Sequence, residues 1–199
     1  MNKKLGIYGS IINGISIFSF ALSMIFDFHF GSYLSSMFIA LGFILMISSF
    51  CYYCKDEYKS AGYTSLIFAA IYVTFILSIY FAQLTSIRLD NLNEQAIQIL
   101  DYQKFGLFFN YNLLGYGIMA LSTFFIGLTI EITNKLDRWL RRLLLIHGVF
   151  FISGLIIPMI GLFNSDMQGA NWIGTVVLEF WCAYFIPISI FSFLHFKNK

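Results

Sequence analysis

The sequence predicts an all-α membrane protein, a bundle of six transmembrane helices with the N-terminus and C-terminus both cytoplasmic. Three observations predict it. Apolar residues make up 59% of the chain and charged residues only 11%, against roughly 25% charged in a soluble domain, so lipid must solvate much of the surface. Six stretches reach the ~20 mostly apolar residues that a helix needs to cross the hydrocarbon. Lysine and arginine crowd the segments on one side of those stretches.

The spans fall at about residues 5–28, 33–54, 63–87, 107–130, 143–163 and 172–196, and take up nearly all of a single transmembrane domain, 1–199. Each is apolar all round and none alternates, which is the pattern of a helix and not of a barrel strand. The separators are polar: residues 27–32, 55–62, 88–106, 131–142 and 164–171. With the N-terminus inside, Lys3, Lys4, Lys55, Lys59, Lys135, Arg138, Arg141, Arg142, Lys197 and Lys199 are cytoplasmic, and only Arg88 and Lys104 lie outside. That bias orients the chain in the membrane. The first apolar run exceeds the ~7–15 residues of a signal-peptide core, so it reads as a retained helix. Gly14-Ile15 and Ser19 recur at the same spacing as Gly117-Ile118 and Ser122, a thin hint of an inverted repeat of two three-helix halves.

Two short segments between spans read as helices. Asn91 and Glu94 resemble a capping box outside the membrane. Inside, Asn134 is placed to cap a short helix in which Asp137 and Arg141 pair at i, i+4, with Trp139 at the interface.

Glu179 is the sharpest chemical signal. It lies about seven residues, or ~10 Å, inside the last span at 1.5 Å per residue. An ionisable group at that depth is costly and faces the bundle interior or water. It reads as a proton, cation or amine site, or as a neutral acid tying helices together. Asp27 at the end of span one, Gln83 near the outer end of span three, and Asn110, Tyr111 and Asn112 at the start of span four share the outer half of the membrane, with Tyr80 nearby. Together they are candidates to line an outward-facing pocket around Glu179. Asn110 and Asn112, two apart on a helix, point away from each other. Pro158 and Pro187, the two prolines, sit inside the last two spans and free the carbonyls of Gly154 and Ala183.

Cys51 and Cys54 form a CxxC at the inner end of span two, a dithiol redox candidate or half a metal site. The second half of a metal site is missing, and thiols on the inner side stay reduced. His147 in span five and Asn13 in span one read as helix-packing residues. Gly6, Ser10 and Gly14 form a stripe of small residues that suits close helix packing or a membrane-protein partner. No P-loop, GxGxxG, HExxH or GxSxG occurs. No metal, cofactor or catalytic set is expected, and nothing points to nucleic acid.

Leu114-Gly115-Tyr116-Gly117, Leu121-Ser122-Thr123-Phe124-Phe125, Leu136-Asp137-Arg138-Trp139-Leu140-Arg141 and His147-Gly148 resemble the pattern of a class of bacterial six-helix integral membrane proteins defined as a domain of unknown function. The acid in the last helix, Glu179, is similar too. The resemblance implies the fold and a bacterial plasma membrane, and no activity.

Three functions compete. A protein that binds or transports a small molecule or ion requires a closed outer cavity lined by Glu179. A membrane interaction, assembly or immunity-type protein requires an exposed small-residue face and no cavity. A thiol redox enzyme requires accessible sulfurs on Cys51 and Cys54 beside a quinone-sized groove.

Overall fold

The computed structural model describes residues 1–163 and 170–199. It is 86% helix and has no strand among the described residues. Most of the separator expected at 164–171 lies outside the described residues. The elements are α1 (Asn2–Ile25), α2 (His29–Tyr53), α3 (Lys59–Leu84), α4 (Ser86–Leu89), α5 (Glu94–Leu100), α6 (Leu107–Thr129), α7 (Lys135–His147), α8 (Phe150–Met159) and α9 (Ala170–Lys197). Six helical stretches are long and apolar enough to cross a membrane, the fifth being α7 and α8 together.

Neighbours in the chain are neighbours in space. α1 packs on α2, α2 on α3, α3 on α6 and α6 on α7 and α8, while α9 packs on α1 and α7. The six spans therefore follow one another around a closed ring. Aromatic side chains fill its middle: Phe43 meets Tyr72 at 5.4 Å between ring centroids, and Trp181 of α9 meets Tyr116 of α6 at 5.1 Å. Apolar side chains such as Ile15, Ile67, Phe81, Val176 and Ile190 are exposed on the outside, which suits lipid and not water. Lys3 Nζ donates to the Lys197 carbonyl at 3.0 Å, so both termini share one end.

Lipid tails are as apolar as leucine, so helices associate by close packing and hydrogen bonds. A Cβ on Gly42 of α2 would lie 2.8 Å from the Asn13 nitrogen and 3.0 Å from the Gly9 carbonyl of α1. One on Gly154 of α8 would lie 2.7 Å from the Leu113 carbonyl of α6. At the crossing of α3 and α6, Ser65 Oγ donates to the Ser122 carbonyl at 2.7 Å, and Ser122 Oγ lies 2.8 Å from the Ser65 carbonyl. The stripe of Gly6, Ser10 and Gly14 faces inward: Gly6 lies under the Phe196 ring and Gly14 against Ser189, both on α9.

Several boundaries differ from the sequence reading. The first loop shrinks to a tight turn, and Asp27 sits in it with a left-handed φ of 52° instead of ending the first span. The outer cap is Asn93, whose side chain accepts from the Ala96 amide at 2.8 Å, and not Asn91. Asn134 caps α7 as expected, but α7 runs on into the fifth span and breaks at Gly148–Val149, where successive amides bond three residues back. Asp137 turns inward to His195 and away from Arg141. Pro158 stands one residue from the end of α8, which closes with Gly161 left-handed at φ 63° and the Leu162 amide on the Ile157 carbonyl, a Schellman stop. α9 passes through Pro187 and ends at Lys197.

We expect Gly42→Ala to cost about 1–3 kcal/mol through overpacking, read as a lowered melting temperature in detergent. Gly14→Ala, whose new Cβ would lie 3.6 Å from Ser189, should melt like the wild type.

Candidate functional site

A cavity of about 380 Å³ opens at the end of the bundle opposite the termini. Phe20 of α1, Tyr33 of α2, Tyr80 of α3 and Phe109 of α6 supply its aromatic walls together with Tyr102 and Phe105 from the segment before α6. Asp27, His29, Ser32, Gln103 and Thr175 add polar groups. No lysine or arginine lines it among the described residues.

The segment between α5 and α6 is held in place by one buried side chain. Gln83, near the outer end of α3, donates through Nε2 to the Leu100 carbonyl at 2.7 Å and accepts through Oε1 from the Tyr102 amide at 3.1 Å. Its amide thus stands in for a turn partner to two backbone groups that fold back over the bundle. Tyr102 then packs between Tyr33 (6.2 Å), Tyr80 (6.0 Å) and Phe109 (5.2 Å). Burial pushes the Tyr102 hydroxyl well above its usual pKa, so the ring stays a neutral phenol. Behind it the Tyr80 hydroxyl draws close to Ser36, Tyr116 and Asn112. Asn112 Oδ1 and the Tyr72 and Tyr116 hydroxyls are buried there without a hydrogen-bond partner.

Asp27 stands at the cavity mouth with its carboxylate 3.4 Å from His29 Nε2. Glu179 does not line the cavity. It lies one turn beyond Thr175 on α9 and one residue past the lining Leu178, with Oε1 buried and unpartnered. The pocket is therefore walled by the tyrosines with Asp27 at its mouth, and Glu179 lies outside its lining. Gln83 is the tether just described and reaches a smaller neighbouring cavity of about 220 Å³. Asn112 is buried behind the wall. Asn110 and Tyr111 lie away from the lining, and Tyr111 is 39% exposed with its ring against Phe75. Tyr102 carried no signal in the sequence, because only the tertiary fold of the segment before α6 brings it into the same lining as Asp27 and Tyr33.

At the inner end, Cys51 and Cys54 are free and buried. Both sulfurs face Gly62, at 3.4 and 3.6 Å from where its Cβ would be, so they share a face as their spacing implies. The cavity beside Cys54 holds about 20 Å³, room for roughly one water and no quinone. Asp137, 3% exposed, binds His195 Nδ1 at 2.7 Å and so ties the start of α7 to the end of α9. Glu131 pairs with Lys55 at 2.9 Å, and that contact holds its carboxyl below the usual range; both side chains are exposed, so the pair adds little stability.

His147 is fully buried between three spans. Trp181 Nε1 lies 3.0 Å from His147 Nε2. An indole nitrogen can only donate, so Nε2 accepts and the proton sits on Nδ1. Nδ1 faces Thr123 Oγ1 at 2.7 Å, and Thr123 passes its own proton to the Ala120 carbonyl at 2.8 Å. The histidine is a packing residue with fixed partners. Among the described residues no group of three His, Cys, Asp or Glu side chains gathers to hold a metal ion.

Fold and cavity together define a polytopic membrane protein, with six spans among the described residues and a small-molecule-sized cavity at the end opposite the termini. Comparison with known families, with curated proteins and with solved structures finds no match for the chain. The residues that carry the resemblance to the six-helix class do internal work: Gly117 meets Gly154, Ser122 bonds Ser65, Thr123 bonds His147, and Asp137 bonds His195.

Gln83→Leu would strand the Leu100 carbonyl and the Tyr102 amide, a penalty of about 1–3 kcal/mol. We expect trypsin to cut after the exposed Lys104 faster in this variant than in the wild type; an equal rate would remove the tether's importance.

Proposed function

We propose that this chain is a bacterial plasma-membrane protein that binds a small molecule in its outer cavity, as a carrier or as the capture component of one. The observation that supports the reading is the cavity itself. Ligand pockets measure roughly 300–1,000 Å³ and combine apolar walls with a few convergent polar groups, and a volume near 380 Å³ with six aromatic rings and five polar side chains fits that description. The interaction reading has less support, because the small-residue stripe is already covered by α9. The redox reading has less support as well, because both thiols are buried beside a cavity the size of one water.

In this reading the aromatic walls supply contact area and Asp27, Ser32 and Gln103 orient the ligand. Glu179 lies one turn deeper than Thr175 on α9 with Oε1 buried and unpartnered, which makes it a candidate for coupling and not for capture. The class of bacterial six-helix proteins that the sequence resembles supplies the assignment to a bacterial membrane.

A screen of small molecules by melting temperature in detergent tests the proposal. A ligand at 100 times its Kd adds about 2.7 kcal/mol, and we expect at least one chemical class to raise the melting temperature by roughly 5 °C or more. Gly174 belongs to the cavity lining, and a Cβ there meets nothing within 4 Å among the described residues. Gly174→Leu should therefore fold like the wild type and lose the ligand-induced rise. A rise that persists undiminished in Gly174→Leu places the ligand elsewhere and contradicts the proposal.

A further inference from the structure

We propose that the ligand of the outer cavity is an organic cation, a primary to quaternary ammonium compound, held over tyrosine and phenylalanine faces with its charge toward Asp27; this rests on the cavity being a ligand site. Three independent features of the outer end converge on that chemistry.

The first is the lining. Phe20, Tyr33, Tyr80, Tyr102, Phe105 and Phe109 contribute six rings to one cavity. Aromatic faces carry negative quadrupole potential and attract cations, best of all weakly hydrated alkylammonium groups.

The second is formal charge. Among the described residues Asp27 is the one carboxylate in the lining, and no lysine or arginine stands there. Among the described lining residues the one basic group beside it is the His29 imidazole, 3.4 Å from Asp27. An anionic ligand would find no fixed cation on these walls. In the adjoining cavity of about 220 Å³, by contrast, Asp101 is accompanied by Arg88, and Arg88 is drawn over the Phe30 ring at 5.2 Å. That neighbouring site is balanced and the larger one is not.

The third is the approach. Outside the spans, the described outer segments carry Asp27, Asp90, Glu94 and Asp101 against Arg88 and Lys104, while the inner segments are basic. A surface of one sign around a low-dielectric cleft raises the local concentration of the opposite charge. With four carboxylates against two cations, the described outer segments are acidic by two charges, which favours a cation at this mouth over an anion.

The backbone at Asp27 makes the charge testable without loss of the turn. Its φ of 52° lies in the left-handed region, which asparagine tolerates as well as aspartate does. Asp27→Asn should therefore keep the fold and remove only the charge.

The experiment is calorimetric titration of the detergent-solubilised chain with three size-matched probes: a phenylalkyl-trimethylammonium ion, its neutral tert-butyl isostere, and an arylsulfonate. The expected result is a Kd at least tenfold lower for the ammonium ion than for the isostere, no binding of the sulfonate, and a gap that shrinks severalfold in Asp27→Asn while the isostere's Kd stays put. Equal affinity for ion and isostere, both lost in Gly174→Leu, overturns the cation assignment and leaves the cavity reading standing. Tighter binding of the sulfonate overturns it also. Binding of none of the three, with no hit in the wider screen, removes both readings together.

Discussion

The hydrocarbon interior offers no water, so a polar group carried into it has to find its partner inside the chain. That constraint explains more of this structure than hydrophobicity does, because apolar side chains gain nothing by leaving lipid for protein. His147, Thr123 and Trp181 show it most fully. An indole that can only donate fixes the imidazole proton on Nδ1, which leaves Thr123 to accept it and to donate in turn to Ala120. One chain of donors thus fastens α6, α7 and α9 at a single depth. Ser65 with Ser122 does the same for α3 and α6, and Asp137 with His195 closes the inner end. Between these knots the backbones approach as closely as glycine permits, at Gly9–Gly42 and at Gly117–Gly154.

The outer end is built by the same rule applied to backbone. A segment that folds back from α5 to α6 carries amides and carbonyls that a membrane surface would leave poorly served. Gln83 satisfies two of them with one side chain. The consequence is geometric: Tyr102 comes to rest against Tyr33, Tyr80 and Phe109, and the space left below Asp27 becomes a cavity with aromatic walls. A side chain that resembles a ligand-binding residue in the sequence is thereby the support for one.

Span number, helical class and the shared end of the termini were legible in the sequence, because uninterrupted apolar runs and one-sided lysine and arginine are properties of composition along the chain. Asn134 as a cap was legible for the same reason, since its hydrogen bond is local. Non-local geometry was not. Asp27 belongs to a left-handed turn that no periodicity announces. Asp137 has a sequence neighbour at Arg141 and a spatial neighbour at His195, and burial favours the second. The fifth span breaks at Gly148, where a Cβ would lie 2.8 Å from the Phe124 side chain, and not at Pro158, which falls where α8 is already ending. Glu179 drew attention as the one acid inside a span, yet the cavity lies one turn away from it, among tyrosines that look in the sequence like any other interfacial aromatics.

The central claim is that a water-accessible site opens to the outer face between α1, α2, α3 and α9. Ser32 lines the cavity from α2 and is 6% exposed, and Ser32→Cys is nearly isosteric. The direct measurement is the rate at which a membrane-impermeant maleimide labels Ser32→Cys in sealed right-side-out and inside-out vesicles, with the wild type as background for its buried cysteines. The account predicts labelling above background in right-side-out vesicles and none in inside-out ones. Labelling confined to inside-out vesicles, or absent from both, would contradict it.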